Sequence, residues 1–483
     1  MSTIKNLFKQ TFVYGLATVL PRMVSFLLVP LYTDILPKEE YGEISVIFAY
    51  FVLINVILAY GMETAFFRFY NKSENPNSVL STSGWSLVIT SLLFTVVAYL
   101  ARDIIVEVTN IPLKYIELAI WILLLDALVI IPFAWLRAAE KPMRYAIIKI
   151  FNVAVNLGLN VFFLVYLKDL AEEHSFFRSI YVEDFKISYV FITMLVASGL
   201  TLLLMLPFYF RISFTFDSVL WRKMLSYGFP ILIAGIAFSV NEVFDRILLD
   251  RLLPQDIARE QVGAYSACYK LAMFMTLFAT AFRLGIEPFF FSHSGEENAT
   301  TTYARITNYF VILGSLILLG VIVFADLLKI LIIKNSAYWE AMEIVPLILL
   351  ANLFLGIYHN LSVWYKVTDR TKFGGYISLA GAAVTIALNL YLIPKIGYTG
   401  SAIATLAAYG LMMILSYYYG RKYYKVPYDM TRIGAYLLVS ITFSIISFYF
   451  FRGNYFVGIP LLLIFMGVIY YFEKDQILRI IQS

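Results

Sequence analysis

Apolar stretches of about 20 residues recur along the whole chain, separated by short polar turns. Each is long enough to cross ~30 Å of hydrocarbon as a helix rising 1.5 Å per residue. They fall at 11–34, 42–67, 80–100, 114–136, 145–167, 187–210, 227–249, 262–290, 304–325, 338–365, 373–393, 398–420, 431–451 and 455–472, about fourteen in all. Within lipid every backbone N–H and C=O must be satisfied inside the protein, so spans of this length are helices. The expected fold is an all-α integral membrane protein. Composition agrees: 61% of residues are apolar and 14% charged, against roughly 45–50% and about 25% in soluble domains. So few charges cannot cover a wetted surface, and the apolar excess must face lipid. The largest loop, 168–186, is too short to hold a soluble domain.

The polar residues set topology. Lys5 and Lys9 precede the first apolar stretch, which lacks a small-residue cleavage site and is read as a retained helix. With a cytoplasmic N-terminus, the inside segments carry roughly 20 Lys and Arg and the outside loops roughly 12. An even number of spans returns the C-terminus to the same side. The net charge of +5 is spread over loops, with no basic block that would read as nucleic-acid binding. Cys268 stands alone, so no intrachain disulfide or Cys-based metal site is expected. His174, His293 and His359 are far apart and do not suggest a metal site.

The sequence also repeats itself. Tyr227–Pro230 ("YGFP") echoes the "YG" and "LP" of the first span, at Tyr14–Gly15 and Leu20–Pro21. "GMETAFFRF" (61–69) echoes "GIEPFFF" (285–291), pairing Glu63 with Glu287. "NLGLNVFFL" (156–164) echoes "IALNLYLIP" (386–394), pairing Asn160 with Asn389. The preceding turns agree as well, Glu140–Lys141 with Asp369–Arg370. Spans one to six therefore match spans seven to twelve. Six helices per half make the repeat parallel, about an axis along the membrane normal. The expected organisation is a six-helix lobe at 1–212, a second at 213–425, and two additional helices with a short tail at 426–483. Transporters built this way hold substrate between lobes and alternate access by rocking.

Several stretches carry a family resemblance: "TDILPKEEYGEISV" (33–46), "YGMETAFFRFY" (60–70), "YKLAMFMTLFATAFRLGIEPFFF" (269–291) and, most specifically, "LGIYHNLSVWYKVTDRTKFGGYISLAGAAVTIALNLYLIPKIGYTGSAIATLAAYG" (355–410). Over nearly its whole length the chain resembles the polysaccharide transport family, the O-antigen type of oligosaccharide-lipid flippase, in the superfamily of MATE exporters and lipid II flippases. The resemblance implies a MATE-like fold with a central cavity and a location in the cell inner membrane. The cargo implied is an undecaprenyl-diphosphate-linked oligosaccharide, moved from cytoplasmic to periplasmic leaflet for surface polysaccharide or lipopolysaccharide synthesis. Partners implied are that glycolipid, membrane lipid and a polysaccharide polymerase machinery, with the protein a monomer.

Such a task needs cations for the diphosphate, polar groups for the sugars and no nucleophile. Charges inside spans are the signal to follow, because each costs roughly 2.5–3.5 kcal/mol at mid-bilayer. Arg22, just after Pro21, is read as a diphosphate ligand or as the partner of Asp126 in span four. Glu242 and Arg246 stand at i and i+4 with Asp245 between them, and Lys270 can join them as an ion-pair network or gate. Arg283 and Glu287 repeat the i, i+4 spacing, and Glu63 and Arg68 lie near the inner end of span two. These residues serve as an inner gate, receive the diphosphate, or snorkel to headgroups. Lys149, Asn152, Asn156 and Asn160 share one helical face, where asparagines bind sugar hydroxyls or join helices. Asn352 invites the same two readings. Pro21 and Pro230 are candidate bending points.

No cofactor is expected. With no Walker A loop in the sequence, ATP hydrolysis by this chain is not expected; Glu63, Asp126, Glu242 or Glu287 can take H⁺ or Na⁺ in exchange, or consumption of the product outside can pull the reaction. A MATE-like cation exporter would favour carboxylates over arginines, and the cations here match or outnumber the acids. A lipid II-type flippase stays open. A membrane polysaccharide polymerase would need paired catalytic acids in a loop or a soluble domain, and neither is present.

Overall fold

The computed structural model describes residues 26–292 and 297–482. Arg22, Pro21 and His293 lie outside the described residues. The chain is helical along its described length, and the membrane-crossing elements follow the apolar pattern closely. After a shorter apolar helix, α1 (Phe26–Ile35), they are α2 (Lys38–Lys72), α3 (Pro76–Leu100), α4 (Leu113–Ala138), α5 (Pro142–Glu173), α6 (Lys186–Tyr209) and α7 (Ser218–Leu252). The second half continues with α8 (Gln255–Glu287), α9 (Ala299–Val323), α10 (Ser336–Val367), α11 (372–395), α12 (398–423), α13 (Met430–Phe450) and α14 (Tyr455–Lys474). The helical run Lys372–Tyr423 is broken at Ile396 and Gly397, whose backbone is not helical, and this separates α11 from α12. Among the described residues twelve helices are long and apolar enough to cross a membrane; the break in Lys372–Tyr423 makes two of one of them, and the count agrees roughly with the about fourteen expected.

Local chemistry explains the boundaries. Pro76 opens α3 behind Asn75, whose side chain accepts the Ser78 N–H at 3.3 Å. Pro142 opens α5, and Asp429 caps α13 through the Arg432 N–H at 3.0 Å. α2 is interrupted at Tyr60 and Gly61, both left-handed, with φ of 32° and 72°. The loop expected over 168–186 is shorter than the sequence suggests. α5 runs on through a π-helical turn, Phe162–Tyr166, to Glu173, and a short helical turn follows at Ser175–Arg178.

α3 shows why this is a membrane protein. Its buried side carries Ser83, Gly84, Ser86, Ser91, Thr95 and Ala98. Its outer side carries Ile89, Leu93, Val96, Val97 and Leu100, all more than half exposed. Large apolar residues outside and small polar residues inside invert the pattern of a soluble helix. That suits lipid outside and close helix packing within.

Compactness divides the chain into one unit reaching Ile247 and another starting at Leu248. Each has the same plan. In the first, α4 is central and packs on α2, α3, α5 and α6; in the second, α10 packs on α8, α9, α11 and α12. α13 and α14 attach to the second unit through α9. Their joint is polar: the Glu473 carboxylate, 2% exposed, accepts from Tyr436 Oη at 2.8 Å and from Asn308 Nδ2 at 3.2 Å.

In the first unit the left-handed break in α2 meets α7. A Cβ on Gly61 would lie 2.2 Å from the Gly228 carbonyl oxygen. Only glycine permits both this backbone conformation and this approach. The Arg68 guanidinium lies 4.2 Å from the centroid of the Tyr227 ring beside the contact.

Candidate functional site

Each unit places one acid–base pair at the same point of its plan. In the first, Glu63 of α2 pairs with Arg137 at the end of α4. In the second, Glu287 of α8 pairs with Lys366 at the end of α10, 2.5 Å away. Glu63 and Glu287 are the repeat mates of the sequence analysis. Their partners Arg137 and Lys366 are also mates, since each lies two residues after a tryptophan, Trp135 or Trp364, and three before the acid of the following turn, Glu140 or Asp369. Those turns are alike as well. Glu140 and Asp369 are left-handed, with φ of 52° and 56°. The next N–H in each case bonds back five residues, from Lys141 to Leu136 at 2.9 Å and from Arg370 to Tyr365 at 2.8 Å. Both α4 and α10 thus end in a Schellman turn that sets the cation at the same place.

The expected i, i+4 pair Arg283–Glu287 is therefore replaced by an interhelical pair. Lys366 takes the Glu287 carboxylate, and Arg283 has no carboxylate partner among the described residues. Arg283, Glu287, His359, Asn360 and Lys366 line one cleft with Phe290. Its basic side chains, Arg283 and Lys366, outnumber its one acid, Glu287. Its charges are of the kind that attract an anion with several oxygens, because guanidinium forks match phosphate geometry and ammonium adds a point charge.

The first unit holds a buried polar track instead. Arg137 also stacks on Phe67, at 4.7 Å to the ring centroid. Lys149 of α5 rests on the Phe133 ring at 4.1 Å. Asp126 of α4 accepts the Ser198 hydroxyl of α6 at 2.7 Å. Asn152 donates to Thr201 at 2.9 Å, and Asn160 donates to Thr193 at 2.8 Å. The two donors are eight residues apart, as are their acceptors, so they form rungs of an antiparallel zipper between α5 and α6. Asn160 is 0% exposed and also accepts from Tyr32 Oη at 2.8 Å. Its mate Asn389, also 0% exposed, accepts the Ser401 hydroxyl of α12 at 2.7 Å. Of the two readings for these asparagines, the structure engages Asn152, Asn160 and Asn389 in joining helices. Asn156 accepts from Asn160 at 3.1 Å, and Asn352 donates to the Ala272 carbonyl at 3.4 Å.

On α7 the expected Glu242–Arg246 pair takes a different form. Arg246 bonds to Asp245 Oδ1 at 2.9 Å and to the main-chain carbonyl of Glu242 at 3.0 Å. Asp245 is 3% exposed, so its charge is the costlier one to leave without a cation. Lys270 opens the 3₁₀ turn Lys270–Ala272 within α8. Arg137, Lys366 and Ser198 are the members that sequence reasoning did not single out. The first two were within reach of the repeat, each three residues upstream of a turn already matched.

The lipid-facing helices, the internal repeat and the buried charge define a polytopic membrane protein with the fold of flippases and transporters. A family model described as polysaccharide biosynthesis protein matches residues 7–282, more than half of the chain. The chain belongs to that family. The MatE family model matches residues 230–391. Comparison with curated protein sequences gives no match. Among solved structures, lipid II flippase MurJ in an inward closed conformation superposes with a TM-score of 0.73 at 16% identity, covering 96% of this chain and 100% of that one. An inward-facing multidrug resistance MATE family transporter gives 0.64 at 13% identity over 88% and 95%. A MOP superfamily transporter from Pyrococcus furiosus gives 0.58 at 14% identity over 89% and 96%. At these identities the likeness is one of fold. The compared proteins are a flippase and transporters, and none is an enzyme.

Proposed function

We propose that the protein is a flippase for a polyprenyl-diphosphate-linked oligosaccharide, working by alternating access in surface polysaccharide synthesis. The family match supports the polysaccharide context, and the MurJ fold supports a lipid-linked cargo. One observation carries the choice of an anionic cargo: Arg283 stands without a carboxylate partner among the described residues, beside Lys366, in a cleft with more cations than acids. The six-helix lobes 1–212 and 213–425, the inner-membrane location, cytoplasmic termini and a monomeric state are part of this reading. So is coupling to H⁺ or Na⁺ through Asp126 or Glu287. The MatE match favours export of organic cations as a second reading, and the positive cleft weighs against it.

The test is leaflet-resolved flipping of a diphosphate-linked oligosaccharide lipid in proteoliposomes, comparing wild type with Arg22→Ala and Arg283→Ala. Wild type is expected to flip the lipid, and Arg283→Ala to slow it about tenfold or more, the loss of one charge-assisted phosphate contact. Equal rates in wild type and Arg283→Ala would remove the cleft from the mechanism. Export of organic cations without lipid flipping would replace this reading with the second.

A further inference from the structure

The first unit carries a second cleft, where the start of α5 meets the end of α6. It is lined by Arg144 and Arg211 over a floor of Trp135, Leu204, Met205 and Phe208. Both arginines are exposed, and neither has a carboxylate partner among the described residues. A third cation, Lys141, reaches the same corner, its Nζ 4.3 Å from the Trp135 ring centroid. Glu140, the acid of the adjoining turn, is not among the residues that line the cleft.

The flanks are apolar and point outward. Met143 and Ile147 on α5, Leu203 on α6 and Phe210 just beyond it are 58%, 60%, 59% and 85% exposed. Side chains of this kind at the surface of a membrane helix contact acyl chains. Cations at the rim, apolar floor and lipid-facing flanks together match a ligand with an anionic head and hydrocarbon tails. A soluble phosphate would leave the floor and flanks unused. We propose that this cleft binds an anionic phospholipid, its phosphodiester between Arg144 and Arg211 and an acyl chain along the exposed Leu203, Leu204 and Phe210. Phosphatidylcholine has the same phosphodiester but carries a compensating cation, so the cleft discriminates by net headgroup charge.

The test uses the full chain in detergent, titrated with phosphatidylglycerol and with phosphatidylcholine and read by native mass spectrometry. Phosphatidylglycerol is expected to bind the wild type about tenfold more tightly than phosphatidylcholine, from roughly one charge contact per arginine at the headgroup level. Arg144→Ala/Arg211→Ala should abolish that preference. Each single alanine variant should reduce it, and Arg144→Lys/Arg211→Lys should restore part of it. Lys168→Ala/Arg178→Ala, which removes two exposed cations from the far end of α5 and its adjoining turn, should leave it unchanged. Glycerol phosphate at matched concentration should displace no lipid. A double alanine variant that keeps the full preference, or a control pair that loses it equally, overturns the proposal. Displacement by glycerol phosphate would make this a free-phosphate site and overturn it also.

Discussion

Lys366 sits between two demands, the Glu287 carboxylate it holds at 2.5 Å and the anion proposed for the cleft. Removing the competing acid should strengthen anion binding, and removing the cation should weaken it. Glu287→Gln is therefore expected to tighten pyrophosphate binding about threefold and Lys366→Met to weaken it about tenfold, measured by isothermal titration calorimetry. If both variants bind like wild type, the cleft does not hold the diphosphate. The pair also shows where reading one residue at a time reaches its end. Sequence spacing matched Glu287 to Arg283 one turn away, because i, i+4 neighbours are the only partners a linear chain displays. The interhelical partner depends on where α10 stops, which a left-handed Asp369 decides. The asparagine face of α5 was legible, but its use was not, because Thr193 and Thr201 are unremarkable until α6 is laid against it.

At the scale of the element, the spans were legible because hydrocarbon thickness imposes one length on all of them. Their irregularities were not. Tyr60–Gly61 interrupts an apolar run without any proline, and its cause is tertiary, the approach of the Gly228 backbone. Gly61→Ala should therefore be strongly destabilising. The added methyl meets the Gly228 carbonyl oxygen, and a φ of 72° disfavours alanine in any surroundings. A loss of roughly 2–3 kcal/mol is expected, as for a strained backbone position, seen as a lower Tm in detergent. Gly158→Ala provides the contrast. It lies within helical α5 with nothing within 4 Å of a new Cβ, and alanine should stabilise by about 0.5–1 kcal/mol through helix propensity. If the two variants shift Tm alike, the close approach of α2 and α7 does not form.

For the whole molecule, the parallel repeat expected from the sequence would place corresponding turns on one membrane face. Six spans separate the turn after α4 from the turn after α10, so both must open to the same side. Cysteines introduced as Lys141→Cys and Arg370→Cys should react with an impermeant maleimide from one face of sealed vesicles, and Asn110→Cys from the other. Native Cys268 is 0% exposed and should stay silent in all three. Labelling of Lys141→Cys and Arg370→Cys from opposite faces would break the parallel repeat. The paired Schellman turns carry a further consequence. Each turn determines the azimuth at which the next helix leaves, because successive residues advance about 100° around a helix axis. One residue inserted between Arg137 and Pro142 would turn α5 by about that angle and swing Asn152 and Asn160 away from Thr201 and Thr193. In the first unit the length of one short turn governs whether a buried amide about twenty residues downstream finds its hydroxyl partner.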